Sequence, residues 1–297
     1  MPLHELAALG AAACWALTGI LAARPAAALG ALAFNRWRQL FAVLFFAAVV
    51  ALAGSWRDLQ PSAAVPLVLS GFFGIFVGDS LLFATLNRLG PRRTGVLYAL
   101  NAPIAALIAW LALGETLGPR TLAGIALTVG GVALAVLYGK RRGQLHELER
   151  VRGPLWVGIV SGLGAASGQA LGSILARPVM AAGVDPFAAS LVRVAIGTLC
   201  LSLLVRLPLA SAGQKAPLDA RLAAQTALVA FVGLGVGMTL LLFALAGGKV
   251  GIVSTLSATS PAIILPMIWA RTGERPAAGA WVGAVLVVAG MALLFLR

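Results

Sequence analysis

The feature that most limits what this chain can fold into is a succession of apolar runs, each about as long as a bilayer is thick. A helix needs roughly 20 mostly apolar residues to cross the hydrocarbon layer. Runs of that order occupy 6–23, 31–53, 64–86, 94–113, 121–138, 155–175, 186–206, 222–244, 250–270 and 277–296. They are too long for strands, and the breaks between them carry helix punctuation such as Gly90-Pro91, Gly118-Pro119, Arg177-Pro178 and Asp185-Pro186. The expected fold is an all-α integral membrane protein with ten transmembrane helices. The connecting segments are short, so neighbouring helices should run antiparallel. One longer hydrophilic stretch, 139–153, lies near the middle and reads as a basic linker loop.

Composition agrees with lipid rather than water as the solvent. Of 297 residues, 61% are hydrophobic and 10% charged, against about 25% charged in globular proteins. Mean hydropathy is +0.99. The net charge of +13 does not indicate nucleic acid, because the basic residues sit in breaks between apolar runs and not on a polar domain. Cys14 and Cys200 both fall inside apolar runs, which fits small buried side chains better than a disulfide or a metal site. Residues 6–23 lack a preceding Lys or Arg, so they read as a retained helix and not as a signal peptide.

The chain repeats itself. Gly19-Ile20-Leu21-Ala22-Ala23-Arg24-Pro25 is answered by Gly172-Ser173-Ile174-Leu175-Ala176-Arg177-Pro178, and Leu81-Leu82-Phe83-Ala84 by Leu241-Leu242-Phe243-Ala244. Asn101-Ala102-Pro103 corresponds to Thr259-Ser260-Pro261, Leu113-Gly114-Glu115 to Thr272-Gly273-Glu274, and Gly124 and Gly131 to Gly283 and Gly290. The series keeps its order at an offset drifting from 153 to 160 residues, which chance matches would not do. The expected division is 1–138, 139–153 as linker, and 154–297. Five helices per unit is odd, so the second unit would enter the membrane from the opposite side. Inverted repeats of that kind build many secondary transporters, with a site between the halves.

Gly78-Asp79 with Phe83, then Gly90 and Arg93, a helix with Pro103, Leu113-Gly114-Glu115 and a Gly-rich last helix resemble an EamA domain. Phe243, Pro261, Gly273-Glu274, Gly283 and Gly290 resemble a second. Two such domains in tandem are typical of the drug/metabolite transporter superfamily. The resemblance implies a ten-helix exporter or importer of metabolites, amino acids or drugs in a bacterial inner membrane, with termini in the cytoplasm. The distribution of Lys and Arg among the loops gives the opposite expectation for the termini.

Asp79 is the only carboxylate clearly inside an apolar run. An intramembrane acid faces a cavity or a partner. It therefore either couples transport to protons or contacts substrate, or else forms a structural pair with an arginine. Arg38 and Arg193 occupy matching places in the second helix of each half. Each can grip a substrate carboxylate, pair with Asp79, or reach to the headgroups. Gln169 belongs to a stripe of the sixth helix with Ser161, Ala165 and Ser173, beside a stripe of Gly164, Gly168 and Gly172 that reads as packing. Trp15 is a stacking wall for an organic solute or an apolar filler. Tyr98 and Asn101 share one face, as do Thr255 and Thr259, each pair just before a proline, Pro103 or Pro261, that can free a carbonyl or form a hinge. Glu115 and Glu274 read as structural. Gly124 with Thr128 and Gly279 with Gly283 suit either packing of the last helices or a homodimer.

An enzyme is disfavoured. His4 and His146 lie outside the runs, and no metal motif, nucleophile elbow or Walker motif occurs. No cofactor is expected. The partners expected are a small organic substrate, membrane lipid, and protons if Asp79 titrates. The alternative is a membrane protein that is structural or regulatory. A polar hollow holding Asp79 or an arginine would favour transport over that alternative.

Overall fold

The computed structural model describes residues 3–113, 118–138, 151–206, 214–247, 256–257 and 259–295, and among these there is no strand. The helices are α1 (Leu3–Leu29), α2 (Ala31–Ala53), α3 (Pro61–Ser70), α4 (Asp79–Tyr98), α5 (Asn101–Leu113) and α6 (Pro119–Tyr138) in the first part of the chain. Then come α7 (Leu155–Ala181), α8 (Pro186–Leu204), α9 (Ala220–Ala230), α10 (Thr239–Gly247), α11 (Ser260–Thr272) and α12 (Ala278–Phe295). Among the described residues, 7 helices are long and apolar enough to cross a membrane. The protein is a multi-pass integral membrane protein.

Two breaks fall later than the sequence suggests. α1 continues through Pro25 and α7 through Pro178. The turns come instead at Gly30 and Gly183, with φ of 86° and 81°, a conformation that costs glycine nothing. A membrane helix tolerates proline where neighbours satisfy the freed backbone groups. One residue beyond Pro25, the Ala26 carbonyl on α1 accepts from Gly30 N at 3.0 Å and also from Asn87 Nδ2 on α4 at 2.8 Å, which ties the end of α1 to α4.

The run Pro61–Tyr98 is 38 residues long. Straight, it would reach nearly 60 Å, about twice the hydrocarbon thickness. It is not straight, because Gly90 has φ 78° and ψ 171° and splits α4 just before Pro91. Thr94 Oγ1 donates to the Gly90 carbonyl at 2.7 Å. The two buried arginines beyond the bend hold the end of α6: Arg92 Nη1 donates to the Ala135 carbonyl at 2.7 Å, and Arg93 Nε to that of Val136 at 3.4 Å. Cations at a helix C-terminus are favourable on hydrogen-bonding and dipole grounds.

Two π-helical stretches were not anticipated. Gly71–Gly78 joins α3 to α4, and Phe231–Met238 joins α9 to α10. They lie 160 residues apart, inside the offset range of the sequence repeat. Both are rich in glycine, and π turns leave carbonyls out of register with their donors. Side chains fill the gap. Gln39 Nε2 donates to Ile75 O at 3.2 Å and Ser80 Oγ to Phe76 O in the first stretch. Trp15 Nε1 donates to Gly233 O at 3.2 Å and Thr239 Oγ1 to Gly235 O at 2.5 Å in the second.

The last helices, α6 and α12, meet along glycines. A Cβ on Gly131 would lie 2.7 Å from Gly283 O, and one on Gly290 2.6 Å from Gly124 O. As numbers rise on α6 they fall on α12, so the helices cross antiparallel. α2 and α8 do likewise, with Gln39 against Gly197 and the Phe46 and Phe187 rings 6.3 Å apart. The glycine stripe of α7 packs on the first π stretch, where a Cβ on Gly172 would stand 2.7 Å from Gly74 Cα. Close backbone approach through small residues is the usual adhesive between helices in lipid.

Gly131→Ala should therefore destabilise the purified protein by about 1–3 kcal/mol through overpacking, seen as a lowered thermal midpoint. Gly130→Ala next to it, where a Cβ meets nothing within 4 Å, should leave the midpoint unchanged or raise it.

Candidate functional site

On α2 the residues Asn35, Arg38 and Gln39 are spaced i, i+3, i+4 and so share one face. That face is polar and fully enclosed, with Asn35 and Gln39 0% exposed. It meets the start of α4. Arg38 Nη2 pairs with Asp79 Oδ2, and also donates to Asn35 Oδ1 at 3.2 Å. Gln39 Nε2 donates to the same Asn35 oxygen at 3.1 Å, and Asn35 Nδ2 donates to Ser80 Oγ at 3.4 Å. The Arg38 guanidinium also lies over the Phe83 ring, 4.8 Å from its centroid. The contact with Asp79 is made through one guanidinium nitrogen only, and Arg38 Nε is buried without a partner.

Arg193 approaches from α8. It stands 7 residues into its helix, as Arg38 does in α2. Its backbone presses on the first π stretch, where a Cβ on Gly71 would lie 2.6 Å from Arg193 O. A Cβ on Gly74 would lie 3.4 Å from Arg193 Nη2 and 3.8 Å from Gln169 Oε1, which places these two side chains on either side of one glycine. Asp79, Arg193 and Tyr98 are all within electrostatic reach of one another. Residues from α2, α4, α7 and α8 therefore converge, and Asp79, Arg38, Arg193, Tyr98 and Gln169 are brought together.

Trp15, Asn101 and Thr259 have other occupations. Trp15 holds the second π stretch at Gly233. Asn101 Nδ2 donates to Tyr98 O at 2.7 Å, and Thr259 Oγ1 donates to Leu256 O at 2.7 Å. Asn101 and Thr259 are repeat partners, and each meets the carbonyl three residues back, two positions before its proline. Thr255 and Glu115 lie outside the described residues. Asn35, Gln39 and Ser80 were missed by sequence reasoning. Their signal was a polar i, i+3, i+4 set within an apolar run.

The site is closed. The side chains of Arg38 and Asp79 are 5% and 10% exposed. Two hollows elsewhere do not contain them: one of about 490 Å³ over Phe76, Cys200 and Leu203, and one of about 210 Å³ beside Pro66 and Pro178. Neither of these hollows reaches Asp79, whose side chain is nearly enclosed in this conformation.

Comparison with known proteins decides the class instead. The model of the EamA-like transporter family matches residues 3–137 and 156–296. The chain belongs to the EamA-like transporter family. Members of this family are membrane transporters and not enzymes. The threonine/homoserine exporter RhtA of Escherichia coli K12 is 30% identical over 143 residues, 48% of each chain. An uncharacterized transporter of Archaeoglobus fulgidus is 31% identical over 140 residues, 46% of this chain and 49% of its own. The matched segment thus spans about half the length of these curated relatives. One solved crystal structure covers 98% of this chain and 95% of its own with a TM-score of 0.60 and 19% identity, and it shares the fold.

In this EamA-like protein one acid faces two guanidiniums, that of buried Arg38 and that of half-buried Arg193, whose Nε is enclosed. Asp79→Leu should therefore lower the thermal midpoint more than Arg38→Met. Removing the shared counter-ion strands two charges, at about 3–5 kcal/mol for a broken buried pair, whereas Asp79 without Arg38 still faces Arg193. Equal midpoints would mean that Arg193 contributes nothing to Asp79.

Proposed function

We propose that this protein is a secondary transporter that moves small organic solutes by alternating access, with the Asp79 cluster as its site. The units are 1–138 and 154–297, joined by 139–153, and they form inverted repeats of five helices each. Ten spans follow if the bend at Gly90 separates two of them and if α11 belongs to a further one.

The observation that carries this reading is that equivalent positions of the two halves meet in antiparallel pairs. Gly131 touches Gly283 while Gly290 touches Gly124, and Gly283 and Gly290 are the repeats of Gly124 and Gly131. Such an exchange is the signature of a twofold axis, and here the axis would lie in the membrane plane. The paired π stretches at one offset support the same symmetry. A twofold of this kind gives two equivalent ways to open, one to each side. The closed cluster corresponds to an occluded step between them. Asp79 is the natural proton carrier, since it sits among helices of both halves. The protein would act in the inner membrane of a bacterium, and export is the direction named for RhtA.

Flux into proteoliposomes tests this, with threonine and homoserine as the first solutes. A solute gradient or a pH gradient should drive uptake, and Asp79→Asn should change the dependence of flux on pH. If the pH profile of Asp79→Asn matches that of the unmodified protein, Asp79 is not the coupling acid. If no solute moves, transport itself is lost as the reading.

A further inference from the structure

The charges of the site do not balance. Arg38 and Arg193 carry two positive charges and Asp79 one negative. Arginine cannot neutralise itself by releasing a proton. Asp79 is engaged by Arg38. Arg193 makes no hydrogen bond among the described residues, and its Nε is buried without a partner. The other described acids are elsewhere. Asp185 and Asp219 accept from the Ala188 and Leu222 amides as helix caps. Glu5 lies in the first turn of α1, Asp58 in the turn after α2, and Glu274 beyond α11.

The repeat shows what is missing. Arg193 repeats Arg38. The position that repeats Asp79, at the offset of the π stretches, is Thr239. Its hydroxyl donates to Gly235 O. The first half therefore supplies an acid to its arginine and the second half does not. A half-buried guanidinium whose Nε is enclosed and that bonds no counter-ion is costly.

We infer that the transported solute carries a carboxylate and that Arg193 holds it, taking the place of the acid that the second half lacks. This rests on the transport reading above. A carboxylate offers the guanidinium two oxygens in a plane, and its negative charge offsets that of Arg193 where Asp79 does not. A phosphate monoester carries more negative charge than the site can balance, and a purely cationic solute meets the wrong field. Gln169, beside Arg193 at Gly74, supplies an amide to the same group.

The test uses the full-length protein in nanodiscs and three acids, threonine, leucine and benzoate, each against its amide. At least one acid should raise the thermal midpoint while its amide does not. Arg193→Gln should weaken that acid by about tenfold or more, as loss of a charged hydrogen bond does. Arg193→Lys should retain part of the response. Without ligand, the midpoint of Arg193→Gln should equal or exceed that of the unmodified protein, since an uncompensated charge has been removed. The assignment is overturned if no acid acts, if amides act equally, if Arg193→Gln responds normally, or if Arg193→Gln alone lowers the midpoint. Proteoliposome flux separates the two claims. Arg193-independent flux of an amide strikes the carboxylate and leaves transport standing, whereas carboxylate binding without flux of any solute does the reverse.

Discussion

Burial of the Asp79–Arg38 pair constrains everything around it. Two ions withdrawn from water into an apolar bundle are poor stabilisers unless each remaining lone pair and proton is met. The chain meets part of this demand locally and leaves Arg38 Nε and Gln39 Oε1 without partners. Asn35 accepts from both Arg38 and Gln39, Ser80 accepts from Asn35, and Phe83 offers its ring face to the guanidinium. The network also explains where the irregular backbone goes. The first π stretch ends at Gly78, directly before Asp79, and Gln39 from the same network satisfies its Ile75 carbonyl. The distortion that aims Asp79 and the polar face that receives it are one feature.

The glycines do the complementary work. Membrane helices gain little from hydrophobic burial against one another, so close approach must supply the cohesion. Gly71 and Gly74 allow α8 to bring Arg193 against the first π stretch, and Gly172 brings α7 there as well. At the far side, Gly124, Gly131, Gly283 and Gly290 lock α6 to α12. Packing within the bundle and assembly of the polar cluster thus use the same residue type for the same reason.

The gross fold was legible because bilayer thickness sets the length of apolar runs, and because the repeat survives as ordered matches such as Gly19–Pro25 with Gly172–Pro178. The glycine stripe on α7 was legible from spacing alone. Other features were hidden for physical reasons. Pro25 and Pro178 look like breaks, yet both helices continue through them, as membrane helices can. The π stretches have no periodicity signal that distinguishes them from ordinary apolar helix. At the site, Asp79, Arg38 and Arg193 stood out because charge inside an apolar run is rare. Asn35, Gln39 and Ser80 did not stand out, since uncharged polar residues are common in such runs. The engagement of Trp15 with a π carbonyl could not be read without knowing that the π stretch exists.

The proposed transport by alternating access requires that one site face each side of the membrane in turn. Accessibility of a single cysteine at position 169 tests this most directly, with Cys14 and Cys200 replaced by alanine and a membrane-impermeant thiol reagent applied to oriented vesicles from one side at a time. Slow labelling from either side, with solute shifting the balance between sides, is expected of alternating access. Labelling from one side only, whatever the solute, would contradict it.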